Sequence, residues 1–170
     1  LLWERELAHP DTEPVVADGE LLVADEGTLA VYDPEDGNRR RGLGDFGDRI
    51  SEPPAVTDGL AFVGTQNQEI AVISITDGSI VWRRSGDAYE GLSVGTETVV
   101  TSGESLPESS LAGLAAFDRA DGSVRWEHQI EGFDAYPSTA PVLASGAVYY
   151  TGTASSGVVA LGDLPSEESS

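Results

Sequence analysis

The sequence contains no cysteine, so disulfides, thiolate metal sites and cysteine nucleophiles are all excluded. It also lacks lysine: its nine bases are all arginine, set against thirty acids, for a formal charge of −21. A chain this acidic repels nucleic acid and anionic lipid, and neither is expected as a partner. No apolar run approaches the ~18 residues of a membrane-spanning helix, so no transmembrane segment is expected. Only two histidines, His9 and His128, and two asparagines, Asn38 and Asn67, are present. There is no G-x-S-x-G nucleophile elbow and no H-E-x-x-H or other zinc spacing. No catalytic residue and no metal ligand can be named. Asp33 and Asp36 are candidates for a hard cation, but a place in a turn already explains them.

High net charge is a mark of disorder, but 39% of the residues are hydrophobic and they fall in short regular runs. A folded protein with a surface suited to high salt fits better. At ~1 M salt the Debye length is about 3 Å, and self-repulsion costs little. The length of 170 residues suffices for one well-buried domain. The chain begins at Leu1 without methionine, as expected of a processed product or a piece of a longer protein.

What the sequence does contain is a repeat. Ala71–Trp82, AVISITDGSIVW, returns as Ala115–Trp126, AAFDRADGSVRW, and more weakly as Ala30–Arg41, AVYDPEDGNRRR. Their Asp-Gly pairs start at Asp36, Asp77 and Asp121, 41 and 44 residues apart. The position five residues further on is Arg41, Trp82 and Trp126, and Trp3 fills the same slot one repeat earlier. A second motif lies upstream: PVVADGELLVA from Pro14, PAVTDGLAFVG from Pro54, GLSVGTETVVT from Gly91 and PVLASGAVYYT from Pro141. Each reads as an apolar strand, a two-residue turn and another apolar strand. Asp-Gly between apolar runs predicts a type I′ hairpin, which needs positive φ at both central residues.

Each repeat therefore reads as four short strands, A to D, with no helical periodicity. Repeats of ~40 residues with four strands each are the blades of a β-propeller. A β-sandwich is the other all-β option, but it has no reason to repeat a turn-plus-tryptophan unit. The expected organisation is a lone outer strand at 1–7, full blades at 14–41, 54–84 and 91–128, a partial blade at 141–162 and an acidic tail at 163–170. Pairing Leu1–Leu7 with the last C strand would close a four-bladed ring. A larger ring that has lost blades fits the same count.

The unit A-x-D-x-x-D-G-x-x-x-W resembles the tryptophan-docking repeat of the PQQ-binding-like β-propeller family. Ala115, Asp118, Asp121, Gly122 and Trp126 match it fully. Ser74 replaces the first aspartate of the second copy, and Arg41 replaces the tryptophan of the first. The resemblance implies that each tryptophan packs between neighbouring blades. It also implies a ring of seven or eight blades, of which this chain would be about half. Missing blades or a homodimeric completion would supply the remainder. Secretion or cell-surface placement is a further implication. The family includes quinoprotein dehydrogenases, the scaffold lipoprotein of the outer-membrane barrel assembly machine, and propellers that only bind.

Strand alternation puts A–B and C–D turns on one face, and B–C and D–A loops on the other. The irregular loops are where binding is expected. The D–A loops, Ala8–Glu13, Gly42–Pro53, Ser85–Glu90 and Glu127–Ala140, carry His9, His128, Asp45, Asp48 and Asp87. They also carry the residues expected to form a ligand or partner face: Phe46, Tyr89, Glu90, Phe133, Asp134 and Tyr136. Covering the blade core is the competing role for the aromatics. The expected function is a non-enzymatic binding or scaffold module for a protein or small ligand, with no cofactor. The alternative is a fragment of a quinoprotein dehydrogenase using PQQ and calcium. The resemblance implies an acid–asparagine–calcium site and a vicinal disulfide for such an enzyme. The cysteine-free sequence speaks against it.

Overall fold

The computed structural model describes residues 1–88, 90–109, 111–130, 137, 139–152 and 157–162. It is all-β. The first sheet comprises β1 (Val15–Ala17), β2 (Glu20–Asp25), β3 (Thr28–Tyr32) and β4 (Arg39–Asp45). The second comprises β5 (Ala55–Thr57), β6 (Leu60–Gly64), β7 (Glu69–Ser74) and β8 (Ile80–Ser85). The third comprises β9 (Leu92–Val94), β10 (Thr98–Gly103), β11 (Gly113–Asp118) and β12 (Val124–Gln129). The fourth holds β13 (Val142–Ala144), β14 (Ala147–Thr151) and β15 (Val158–Leu161). Within every sheet the strands lie in sequence order, each antiparallel to the next. These are propeller blades, three with four strands and one with three.

Three A–B hairpins form as their dipeptides dictate, whereas that of the third blade turns over four residues, 95–98, with Gly95 N–H donating to Thr98 O at 2.8 Å. Asp18 and Gly19 have φ of 51° and 75°, Asp58 and Gly59 51° and 71°, Ser145 and Gly146 51° and 77°. The C–D connections are a different structure, a wider turn in which only glycine has positive φ: Gly37, Gly78 and Gly122 at 70°, 74° and 72°. In each, the glycine N–H donates to the carbonyl four residues earlier, on Asp33, Ser74 and Asp118, at 2.9 Å. The second aspartate of the motif closes the turn. Asp36, Asp77 and Asp121 accept from the backbone N–H two residues on, at 2.8, 3.0 and 2.8 Å.

Each fourth strand carries a bulge just before the tryptophan slot, between partners of Val31/Tyr32, Val72/Ile73 and Ala116/Phe117. The extra residue is Arg40, Val81 or Arg125. The two arginines reach back to the turn: Arg40 to Asp33 at 2.6 Å and Arg125 to Asp118 at 2.7 Å. In the second blade both partners are changed together, to Val81 and Ser74.

Sheet faces pack on one another. Leu22, Leu29, Val31, Val63, Ala71 and Ile73 join the first blade to the second. Phe62, Ile70, Val72, Trp82, Val99 and Phe117 join the second to the third. Val100, Leu114, Ala116, Val148 and Tyr150 join the third to the fourth. The A strands are neighbours in turn, β5 to β9 and β9 to β13, which places the first strands of these blades at the hub.

Two expectations change. The D strands run past the tryptophan slot to Asp45, Ser85 and Gln129, which shortens the D–A loops at their starts. Leu1–Leu7 is not a strand. A strand is defined by ladder bonds, and among the described residues no C strand lies beside this segment. It does not pair with β15. Residues 163–170 lie outside the described residues.

Candidate functional site

The repeated motif builds the joints between blades. Trp3 donates its indole N–H to Pro34 O at 3.0 Å, and Trp82 donates to Arg119 O at 2.9 Å. Pro34 and Arg119 each follow the first aspartate of the next blade's turn. The ring of each tryptophan lies on the turn glycine. A Cβ on Gly37 would sit 2.6 Å from the Trp3 ring, and one on Gly122 2.7 Å from the Trp82 ring. The motif glycine thus supplies positive φ and a flat seat at once. Trp82 also stacks on Phe117, with ring centroids 6.4 Å apart.

An arginine two residues beyond the tryptophan completes the joint, a feature the motif search passed over. Arg5 donates Nε and Nη2 to Gly37 O at 2.9 and 2.7 Å. Arg84 donates to Asp121 O at 2.8 Å. The spacing W-x-R in Trp3–Arg5 and Trp82–Arg84 was the available signal. At the third joint the same position is His128, whose Nε2 lies 3.4 Å from Tyr150 Oη of the fourth blade. The two histidines are thus in different settings: His9 is exposed, 3.8 Å from Glu26.

A cleft of about 780 Å³ opens between the third and fourth blades, lined by Glu97, Val100, Trp126, His128, Leu143 and Leu161 among others. At the two earlier joints this level is occupied by the next blade's C–D turn. In the fourth blade the residues that follow β15 lie outside the described residues. The cleft belongs to the blade joint and lies on the turn face.

The opposite, loop face is held by buried aspartates. Asp11, whose side chain is fully buried, accepts from Gly27 N at 2.7 Å, Ile50 N at 3.2 Å and Arg49 Nε at 3.0 Å. It ties the first blade's B–C turn to the following D–A loop. Asp87 does the same further round, accepting from Glu104 N at 2.8 Å and Ser105 N at 3.2 Å. Asp87 therefore anchors loops and is not presented to solvent. Phe46 is also buried, at 4% exposure, with the Arg83 guanidinium 5.3 Å from its ring centroid. It seals the end of the first inter-blade core and supports the face from beneath. Tyr89, Phe133, Asp134 and Tyr136 lie outside the described residues.

Glu90 is the expected face residue that the structure puts in company. Glu13, Glu52 and Glu90 each stand just ahead of an A strand, at the hub edge of three successive blades. Burial, then the charges of Glu13 and Glu90, push the Glu52 carboxyl above its usual value. Burial, then Glu104 and Asp87, do the same for Glu90. Like charges from Glu13 and Glu90 thus add to burial at Glu52, and those of Glu104 and Asp87 add to burial at Glu90. Among the described residues no set of three potential ligands is close enough to hold a metal ion.

The family profile described as outer membrane protein assembly factor BamB matches residues 1–169. The chain belongs to this BamB family. Its PQQ-like repeats and propeller blades are those of the family, as the tryptophan motif implied. No curated protein matches the chain in sequence. Among solved structures it is similar to BamB from Moraxella catarrhalis, with a TM-score of 0.74 and 16% identity over 95% of this chain and 49% of that one. The chain spans about half the length of that relative. It is also similar to the computationally designed Ika4 protein, with a TM-score of 0.76 and 15% identity over 95% of this chain and 97% of that one. A third likeness is to a quinohemoprotein alcohol dehydrogenase from Pseudomonas putida HK5, with a TM-score of 0.61 and 20% identity over 79% of this chain and 23% of that one. At these identities the likenesses establish the fold of a BamB-family propeller. No helix among the described residues is long and apolar enough to cross a membrane.

Proposed function

We propose that this BamB-family propeller is a non-enzymatic scaffold that binds protein through its loop face at the hub. The observation that carries the reading is the arc of Glu13, Glu52, Glu90 and Glu104. Burial and neighbouring carboxylates raise the Glu52 and Glu90 carboxyls above their usual value. Groups in that condition gain most from an incoming cation, since a partner's arginine or lysine relieves repulsion that the free protein carries. The partner segment is therefore cationic. Family membership supports protein binding as the general role. The binding reading needs no cofactor. The acidic surface suits a solution of high salt, and completion of the ring, by further blades or by a second copy, leaves the hub mouth open to a partner.

The test is a titration with a short arginine-containing peptide at moderate salt. Glu52→Gln and Glu90→Gln should each weaken binding several-fold. Asp18→Asn, on the turn face, removes equal charge and should leave affinity unchanged. Equal losses from both faces would reduce the effect to net charge and overturn the reading. A parallel titration with PQQ and calcium separates it from the enzyme: stoichiometric, calcium-dependent binding would replace the scaffold with a quinoprotein.

A further inference from the structure

Five Asp-Gly pairs occur in the sequence, at Asp18, Asp36, Asp58, Asp77 and Asp121. In such a pair a side chain can react with its own backbone, because glycine has no side chain to keep the next amide nitrogen from the carboxyl carbon. The fold guards four of the five. In the C–D turns the carboxylates of Asp36, Asp77 and Asp121 each accept from the N–H two residues on, at 2.8, 3.0 and 2.8 Å. The N–H groups of Gly37, Gly78 and Gly122 donate to the carbonyl four residues earlier, at 2.9 Å, so both reacting groups are occupied. Gly37 and Gly122 are also buried, beneath Trp3 and Trp82. Hydrogen bonds from Ser79 and Ser123 hold the Asp77 and Asp121 carboxyls below their usual value, away from the protonated form that reacts.

The two Asp-Gly pairs in A–B hairpins differ from each other. Asp58 pairs with Arg119 at 2.7 Å, and the Gly59 carbonyl accepts from Ile75 N–H at 2.9 Å, which fixes that turn from both sides. In the first blade the residue in the place of Ile75 is Pro34, which has no N–H to give. Among the described residues neither the Asp18 carboxylate nor the Gly19 N–H has a hydrogen-bond partner. Both residues are exposed, and Gly19 is the one exposed glycine of the five pairs. No atom comes within 4 Å of a Cβ placed on it.

We infer that Asp18 is the site at which the folded chain forms isoaspartate, and so the point where a methyltransferase that esterifies isoaspartyl carboxyls acts on it. The Gly19 amide nitrogen attacks Cγ of the protonated Asp18 carboxyl. A bond from Cγ to oxygen breaks, and the hydroxyl leaves with the amide proton as water. The product is a cyclic succinimide. Water then adds to one of its two carbonyls. Opening at Cγ restores aspartate, and opening at the α-carbonyl leaves the main chain running through the side-chain carbon. The water released in the first step is consumed in the second, and no other reactant is needed. The product carries an extra methylene in a two-residue turn whose φ values of 51° and 75° set the pairing of Ala17 with Glu20, so the join of β1 to β2 loosens. This chemistry does not depend on what the loop face binds.

The test ages the folded chain at neutral pH in ~1 M NaCl, which screens its charge. Isoaspartate is counted by enzymatic methyl transfer from S-adenosylmethionine and located by electron-transfer fragmentation of the peptides. Asp18 should exceed each of the other four aspartates several-fold. A sample aged in guanidinium chloride should lose that ranking, with all five pairs reacting at comparable rates. Asp18→Glu keeps the charge but disfavours the ring, and should remove most of the methyl acceptance of the folded chain. Three results would overturn the inference: equal accumulation at all five pairs in the folded chain, a lead for any other pair, or an Asp18 left unmodified while the unfolded chain isomerises.

Discussion

Arg41 donates Nε and Nη2 to the carbonyl oxygen of Ile75, at 2.9 and 2.5 Å. Ile75 is the counterpart of Pro34 and Arg119, the two carbonyls that accept the indole N–H of Trp3 and Trp82. An arginine thus makes the bond of the missing tryptophan, and it also pairs with Glu20 of its own blade. Replacement by alanine leaves the Ile75 carbonyl, on a residue 4% exposed, without its donor. Arg41→Ala should therefore cost about 1–3 kcal/mol. Arg41→Trp keeps a donor in the slot and should cost less than the alanine. Denaturant unfolding of the two variants in fixed salt ranks them, and the reverse order would refute the equivalence.

Trp82 is the best-buried joint residue, at 5% exposure between Gly122 and Phe117. Trp82→Ala should lose on the order of 3–5 kcal/mol. Trp82→Phe keeps much of the packing but not the bond to Arg119, so its loss should be smaller. Gly122→Ala meets the joint from the other side, adding a methyl 2.7 Å from the Trp82 ring at a φ of 72°. Thermal unfolding should show the glycine variant well below wild type. Gly19→Ala has a φ of 75° but open space around it, and should be less damaging.

Acid acts on two groups of carboxyls with opposite sign. Asp33 and Asp118 are held below the usual 3.8 by their arginines, Arg40 and Arg125, and by turn N–H groups. Asp77 and Asp121 are lowered by the N–H groups of Ser79 and Ser123. A depressed folded pKa means stabilisation present above 3.8 and lost as the pH falls through the folded value. Glu52 and Glu90 are raised above 4.5, so their ionised forms oppose folding at neutral pH, and protonation removes that penalty. Glu52→Gln should thus exceed wild type in stability at pH 7 and match it below about pH 4. Asp33→Asn should fall short of wild type at pH 7 and converge with it only in stronger acid. Urea midpoints across pH read both.

Charge predicts a salt dependence. At −21 the folded chain repels itself, and screening should relieve that cost. The melting temperature should rise steadily as NaCl goes from ~0.01 M, with a Debye length of about 30 Å, to ~1 M, with one of about 3 Å. A flat series would refute adaptation of the surface to salt.

Blade number, strand order and hairpin positions were legible because local chemistry specifies them. Asp-Gly and Ser-Gly tolerate positive φ, and alternating apolar residues define a strand with one face to bury. The tryptophan unit was legible as structural because it recurs. Its arginine clamp could have been read from W-x-R, but nothing within those three residues says which carbonyl the arginine meets. The bulge before the tryptophan slot showed only in a spacing, seven residues from Asp33 to Arg40 and from Asp118 to Arg125.

The loop face was the least legible part. An aromatic in a loop looks the same whether it meets a ligand or a core. Only packing made Phe46 a plug beneath Arg83. Only the nearness of Glu13 and Glu104 made Glu52 and Glu90 an arc, and only three backbone N–H and guanidinium donors made Asp11 an anchor. By itself the sequence determined the repeated blade, since its turns and strands are encoded within a few residues. Tertiary structure alone decided which groups meet across blades. Those contacts join residues far apart in the chain, 22 positions from His128 to Tyr150 and 34 from Arg41 to Ile75, and depend on how one sheet seats on the next.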